Sequence, residues 1–146
     1  MSHPVNDPSV IRAVLTTPAT WAVVGLSTNT ARTAYRIAEY LDRSLGMRIV
    51  PIHPSAPTVF DWPGYAWLAD VPDGTRVDVV DCFVNSHLVG AVVDEAIAQR
   101  RRLGIGALWL QLGVIDEAAA QRALGAGLEV VMDTCPKIEY PRLRLG

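Results

Sequence analysis

Five short apolar runs alternate with segments of helical periodicity, and this alternation constrains the fold more than any other feature of the chain. The runs are Trp21–Leu26, Arg48–Ile52, Val77–Phe83, Gly106–Gln111 and Leu128–Met132. Strands that are apolar along their whole length are buried on both faces, which happens in parallel sheets covered by helices. The intervening segments supply those helices. Asp7-Pro8 opens one over residues 7–16, with Asp as N-cap and Pro at the first helical position. A second is predicted from about Ala31 to Leu45, with Tyr35, Ala38, Leu41 and Leu45 on one face and Gly46 beyond its end. A third runs over Leu88–Leu103, with Arg100–Arg102 in its last turn, where cations complement the helix dipole. Asp116 caps an alanine-rich fourth helix that ends at Gly125-Ala-Gly127. Right-handed crossovers between these elements give an α/β fold: an open, mainly parallel sheet of about five strands with helices on both faces. Residues 55–72, rich in proline and aromatics, read as a long connection with at most one short helix at Ala66–Ala69. Residues 134–146 read as a C-terminal tail.

The composition fits one domain over residues 1–146. Half of the residues are apolar and the formal charge is −2, so the chain is neither disordered nor a polyanion binder with a broad basic surface. No nucleic-acid partner is expected. No run reaches the ~18 apolar residues of a membrane span, and the N-terminus lacks the pattern of a secretory signal. Two cysteines without metal-ligand spacing suit a reducing, cytoplasmic setting. Cys82 reads as a buried core residue and Cys135 as a turn residue after the last strand. Twelve Arg stand against a single Lys, Lys137.

In such a sheet, ligands bind beyond the carboxyl ends of the strands, where the strand order reverses. The candidate segments are Gly25–Thr30, His53–Ser55, Phe83–Ser86, Gln111–Val114 and Asp133–Lys137. The first loop, Gly25-Leu-Ser-Thr-Asn-Thr-Ala31, joins strand to helix with hydroxyls and a glycine, which suits a phosphate. It lacks the G-x-G-x-x-G pattern of dinucleotide sites, and a plain helix cap accounts for it equally well. The second strand ends Ile52-His53-Pro54-Ser55, without the acid that would hold an NAD ribose, so a standard NAD site is not expected, while this feature does not disfavour a ligand with a phosphorylated ribose. His3, His53 and His87 are scattered. Ser27 lacks the G-x-S-x-G elbow of a nucleophilic serine. Asp78 and Asp81 point off one strand to different faces. The third strand is expected to be buried apart from these two aspartates. The aromatics of Phe60–Trp67 read as packing over a sheet edge or cleft, or as a surface on which an adenine stacks.

Several strings resemble the small stand-alone CoA-binding proteins, whose Rossmann-like domain is similar to that of the succinyl-CoA synthetase alpha subunit. These are Val23-Val-Gly-Leu-Ser27, Tyr35-Arg36 after Arg32, Ile49-Val-Pro-Ile-His-Pro54 and Val77-Asp-Val-Val-Asp81 with Phe83. Ala38-Glu-Tyr-Leu41, Leu68-Ala-Asp-Val-Pro72, Ala107-Leu-Trp-Leu-Gln-Leu-Gly-Val114 and Val130-Val-Met-Asp133 with Cys135 and Lys137-Ile-Glu139 complete the set. The resemblance implies coenzyme A or an acyl-CoA as ligand, with phosphates and ribose on Gly25, Ser27, Thr28, Asn29 and Thr30 and with Arg32 close by. It implies further contacts from His53 and Pro54, from Phe83, and from Leu110, Gln111 and Leu112. Two departures stand out. Ser55 occupies the place of a frequent Lys, and Val84 and Asn85 occupy the place of one or two Arg. Arg32, Arg36 and Lys137 are the cations expected near the ligand.

Three readings follow. The first is a non-catalytic CoA- or acyl-CoA-binding domain, with NADP as an alternative nucleotide. The second is a small acyl-thioester enzyme using Cys135. The third is an interaction module that reports ligand state to a protein partner or to another copy of itself, for which Phe60–Trp67 would have to be exposed.

Overall fold

The structure is a computed structural model that describes residues 3–143. Five strands, β1 (Thr20–Val24), β2 (Arg48–Ile52), β3 (Val79–Cys82), β4 (Ala107–Leu110) and β5 (Glu129–Met132), form one sheet in the order β2-β1-β3-β4-β5. Every neighbouring pair is parallel. This is a Rossmann-like α/β fold, and each apolar run of the sequence supplies one strand. β2 matches its run, and the other four strands are one to three residues shorter than theirs because the run ends turn out of the ladder.

One face of the sheet carries α3 (Ser86–Leu103) and α4 (Glu117–Gly125). Val89, Val93 and Ala96 of α3 and Ala119, Ala120 and Ala123 of α4 pack there on Ala22, Val80, Leu108 and Val130. The alanine face of α4 lets that helix lie close to both the sheet and α3. The other face carries α1 (Pro8–Thr16), α2 (Thr33–Glu39) and α5 (Pro136–Leu143). Ile11, Leu15, Ile37 and Leu41 meet Trp21, Val23, Trp109 and Val131 there. Trp21 and Trp109 are fully buried with ring centroids 5.8 Å apart, and Trp109 Nε1 donates to the Thr134 carbonyl at 2.9 Å.

Both outer strands are covered. Asn6 brackets Met132 on the free side of β5: its Nδ2 donates to the Met132 carbonyl at 2.9 Å and its Oδ1 accepts from the Met132 N–H at 2.7 Å. Beside β2, Tyr65 N–H donates to the Pro51 carbonyl and His53 N–H to the Tyr65 carbonyl, both at 3.0 Å. Pro51 has no N–H to give, and an edge strand is where a proline is tolerated.

Four expectations need correction. The predicted tail folds into α5. Pro136 takes the first position, where a missing N–H costs nothing, and packing of Tyr140 and Leu143 against the second core compensates for Pro141 inside the helix. Residues 144–146 of that tail lie outside the described residues. The single helix over 31–45 is α2 followed by a π turn at Tyr40–Ser44, in which Leu45 N–H reaches back to the Tyr40 carbonyl at 3.2 Å. The short helix at Ala66–Ala69 is a 3-10 turn at Leu68–Asp70. Finally, Asp81 is wholly buried, whereas Asp78 sits at the strand's base, accepting from Thr20 N–H at 2.8 Å and from Arg76 Nε at 2.6 Å. Arg102 also does more than neutralise a helix end. It donates to the carbonyls of Val71 (2.6 Å) and Leu68 (3.1 Å) and pairs with Asp73, holding the long connection against α3.

Candidate functional site

From β1 the chain crosses to β2 on one side and then returns to β3 on the other, so the order reverses between β1 and β3. Above the carboxyl ends of these strands lies a cleft of about 1070 Å³. Gly25 forms its floor. Its N–H donates to the Ile52 carbonyl at 2.8 Å, its φ is +100°, and a Cβ there would stand 2.6 Å from the Phe83 carbonyl oxygen. Only glycine lets the chain leave β1 this close to the end of β3.

The loop that follows is shaped by its own side chains. Ser27 Oγ accepts from Asn29 N–H at 3.2 Å, and Asn29 Oδ1 accepts from Ala31 N–H at 3.0 Å. Arg32, at the N-cap of α2, makes no side-chain capping bond. It is the one charged side chain in the cleft wall. His53 Nδ1 is held by Ser55 Oγ at 2.8 Å, and His53 and Pro54 form the β2 side of the cleft. On the far side, Ser86 Oγ donates to the Gly113 carbonyl and accepts from Ile115 N–H, and Asp133 Oδ1 accepts from Gly113 N–H. These bonds tie together the loops after β3, β4 and β5.

Gly25, Ser27, Asn29, Arg32, His53, Pro54, Phe83, Gln111 and Leu112 of the sequence-derived set line the cleft together. Thr28, Thr30 and Leu110 do not. Leu110 is fully buried against the α3–α4 core, because it is the last ladder residue of β4 rather than the first of its loop. Arg36 and Lys137 are not in the cleft wall either; Lys137 Nζ lies 5.9 Å above the Tyr40 ring. The walls also include Val84, Asn85, Val114 and Cys135, all within the strand-end segments, and Ala31, Thr33, Ala34, Leu88 and Ile138. The last five belong to helix starts that follow those loops, a position at which any helix after a strand end can reach the cleft. Phe60–Trp67 stays away from it. Phe60 packs on Tyr35 with centroids 4.8 Å apart, while Trp67 is exposed.

Among the described residues, Trp21 Nε1, the Asp81 carboxylate, Gln111 Oε1 and Glu129 Oε2 are buried polar atoms without a partner, and two of these side chains, Gln111 and Asp81, bear on the site. Gln111 lines the cleft, is 3% exposed, and its Oε1 has no partner. Asp81 stands between Val23 and Trp109 in the sheet with neither carboxyl oxygen bonded, and burial pushes its ionisation well above the usual carboxylate range. Burial also pushes the Cys82 thiol up, with the neighbouring Asp81 adding to it. Among the described residues no group of three His, Cys, Asp or Glu side chains is placed to hold a metal ion, and no helix is long and apolar enough to cross a membrane.

Comparison with known proteins gives a consistent result. A family model described as a CoA binding domain matches residues 19–141. An uncharacterised Bacillus subtilis protein, YneT, is 27% identical over 130 residues, which is 89% of this chain and 91% of that protein. A hypothetical protein from Pyrococcus horikoshii OT3 superposes with a TM-score of 0.83 at 30% identity, covering 100% of this chain and 99% of its own. A dinucleotide-forming acetyl-coenzyme A synthetase from Ca. Korarchaeum cryptofilum shares the fold over 83% of this chain and 27% of its own, with a TM-score of 0.66 and 23% identity.

Proposed function

The chain belongs to the CoA-binding domain family, and on that premise we propose that it is a cytoplasmic protein that binds coenzyme A or an acyl-CoA without catalysing a reaction on it. The cleft at the β1/β3 reversal carries this reading. At about 1070 Å³ it is at the upper end of ordinary small-ligand sites, a size suited to a long nucleotide. Its two ends differ in chemistry. Ser27, Asn29, Arg32 and His53 offer hydroxyl, amide and cationic groups beside β1 and β2, where phosphates and ribose fit. Leu112, Val114, Ile138 and Cys135 give an apolar end beside β4 and β5, where a pantetheine arm fits. The orphaned Gln111 Oε1 lies between them and offers an acceptor to an amide N–H of that arm. Few ion pairs are available, so backbone and hydroxyl contacts do most of the holding. The cleft wall contains no Asp or Glu, and its one histidine is engaged by Ser55, which favours binding over acid–base catalysis.

Isothermal titration with CoA, acetyl-CoA, NAD and NADP tests the proposal. Heat is expected with both CoA species and not with NAD. Heat with NADP alone assigns a different nucleotide, and the absence of heat with CoA and acetyl-CoA overturns the reading.

A further inference from the structure

We propose that Cys135 is the site at which this protein is covalently modified by coenzyme A, through thiol–disulfide exchange inside the cleft. The inference rests on the CoA-binding reading and adds a reaction to it. Crossing from β1 to β5 takes three strand spacings, about 14 Å at ~4.8 Å each. The pantetheine arm has twelve bonds from phosphate oxygen to sulfur, as many as four peptide residues, so it spans about 14 Å when extended. A CoA with its phosphates at Ser27 and Arg32 therefore brings its sulfur to the end of β5, where Cys135 lines the same cleft.

A second observation marks that path. Gln111, at the end of β4 and so one strand before Cys135, is a polar side chain 3% exposed, in the cleft wall, with an unpartnered Oε1. A buried acceptor without a partner costs roughly 1–3 kcal/mol, and an amide N–H of the passing arm would satisfy it. Leu112 and Ile138 flank the route as exposed apolar side chains at 63% and 38% exposure, a surface that a thiol-bearing chain covers better than water does.

The chemistry balances with a CoA disulfide as the incoming reagent. The Cys135 thiolate attacks one sulfur of the CoA–S–S–CoA bond. A Cys135–S–S–CoA bond forms, the original S–S bond breaks, and CoA thiolate leaves with the electron pair and takes up the proton lost from Cys135. A second thiol reverses the step. Both cysteines are buried, but Cys135 lines the cleft at 8% exposure whereas Cys82 is wholly enclosed and outside its wall, so Cys82 serves as an internal control.

The full chain is incubated with CoA disulfide, or with glutathione disulfide at equal concentration, and read by non-reducing intact-mass spectrometry with peptide mapping. One CoA adduct at Cys135 and none at Cys82 is expected, removed by dithiothreitol and formed at least about tenfold faster than the glutathione adduct, because binding raises the local concentration of the reacting sulfur. Arg32→Gln should slow the CoA reaction and leave the glutathione reaction unchanged. If CoA gives heat on titration while Cys135 stays unmodified, or reacts equally fast with both disulfides, this proposal fails and the binding reading stands. If CoA gives no heat, both fall. Mapping on the natural chain makes the result independent of whether Cys135→Ser folds.

Discussion

Replacing Gly25 by alanine probes the point on which the fold and the cleft both depend. Two costs add. At φ +100° an L-residue is strained, and a non-glycine residue in such a region costs about 1–3 kcal/mol. The new Cβ would also stand 2.6 Å from the Phe83 carbonyl oxygen and 3.2 Å from the Phe83 Cβ. Neither atom can swing aside, because Phe83 N–H is bonded to the Val24 carbonyl at 2.9 Å and Gly25 N–H to the Ile52 carbonyl at 2.8 Å. Overpacking of this kind costs a further ~1–3 kcal/mol. The sum, about 2–6 kcal/mol, corresponds to a fall in Tm of roughly 6–20 °C for a domain of this size. Gly46→Ala separates the two costs. Gly46 has φ +70° and nothing within 4 Å of its Cβ position, so only about 1 kcal/mol is expected there. Relief of the clash must part β1 from β3 or lift the Ser27–Thr30 loop, and CoA affinity should fall at least about tenfold, or 1.4 kcal/mol. Urea denaturation gives the stabilities and titration calorimetry the affinities. Equal losses for the two variants, or Gly25→Ala with undiminished affinity, would refute the placement of the cleft floor.

Three further outcomes are expected. Gln111→Met should hold or raise the stability of the unliganded protein, since it removes a buried unsatisfied acceptor, and should weaken CoA binding by calorimetry; a loss of stability with unchanged binding would contradict the role given to Oε1. Asn85→Arg adds a cation to the cleft wall and should tighten CoA binding about fivefold to tenfold with a steeper dependence on salt. Asp81 binds its proton more tightly folded than unfolded, so it opposes folding once ionised. Its contribution is most favourable below the ordinary carboxylate range and is lost as pH rises toward the elevated folded value; Asp81→Asn should flatten that part of a Tm-against-pH curve, and an unchanged slope would show that Asp81 does not set it.

The strands were legible because burial on both faces leaves an unbroken apolar run, a signal that survives without knowledge of neighbours. The positions just after them were legible for the same reason, which is why Gly25, Phe83 and Gln111 meet in the cleft. What escaped is what depends on packing between distant segments. Pro141 inside Pro136–Leu143 argues locally against a helix, and the contact of Tyr140 and Leu143 with the second core decides for one. Ile138, on that helix, was therefore missed as a wall of the cleft. Asp81 read as a polar break in a buried strand, since nothing in the sequence says that helices cover that face with two tryptophans beside it. Arg36 and Lys137 are close in sequence to cleft residues, yet neither reaches the wall.

The bracket that Asn6 places on Met132 bears on how the molecule behaves at high concentration. A row of free amide and carbonyl groups on an outer strand is an invitation to growth by another chain's strand. Here β5 has its open groups taken at Met132 by the segment that enters the fold before α1, and Tyr65 occupies the matching place beside β2. Asn6 thus guards β5. A chain shortened to begin at Asp7 would fold around the same core while leaving that side open to its neighbours.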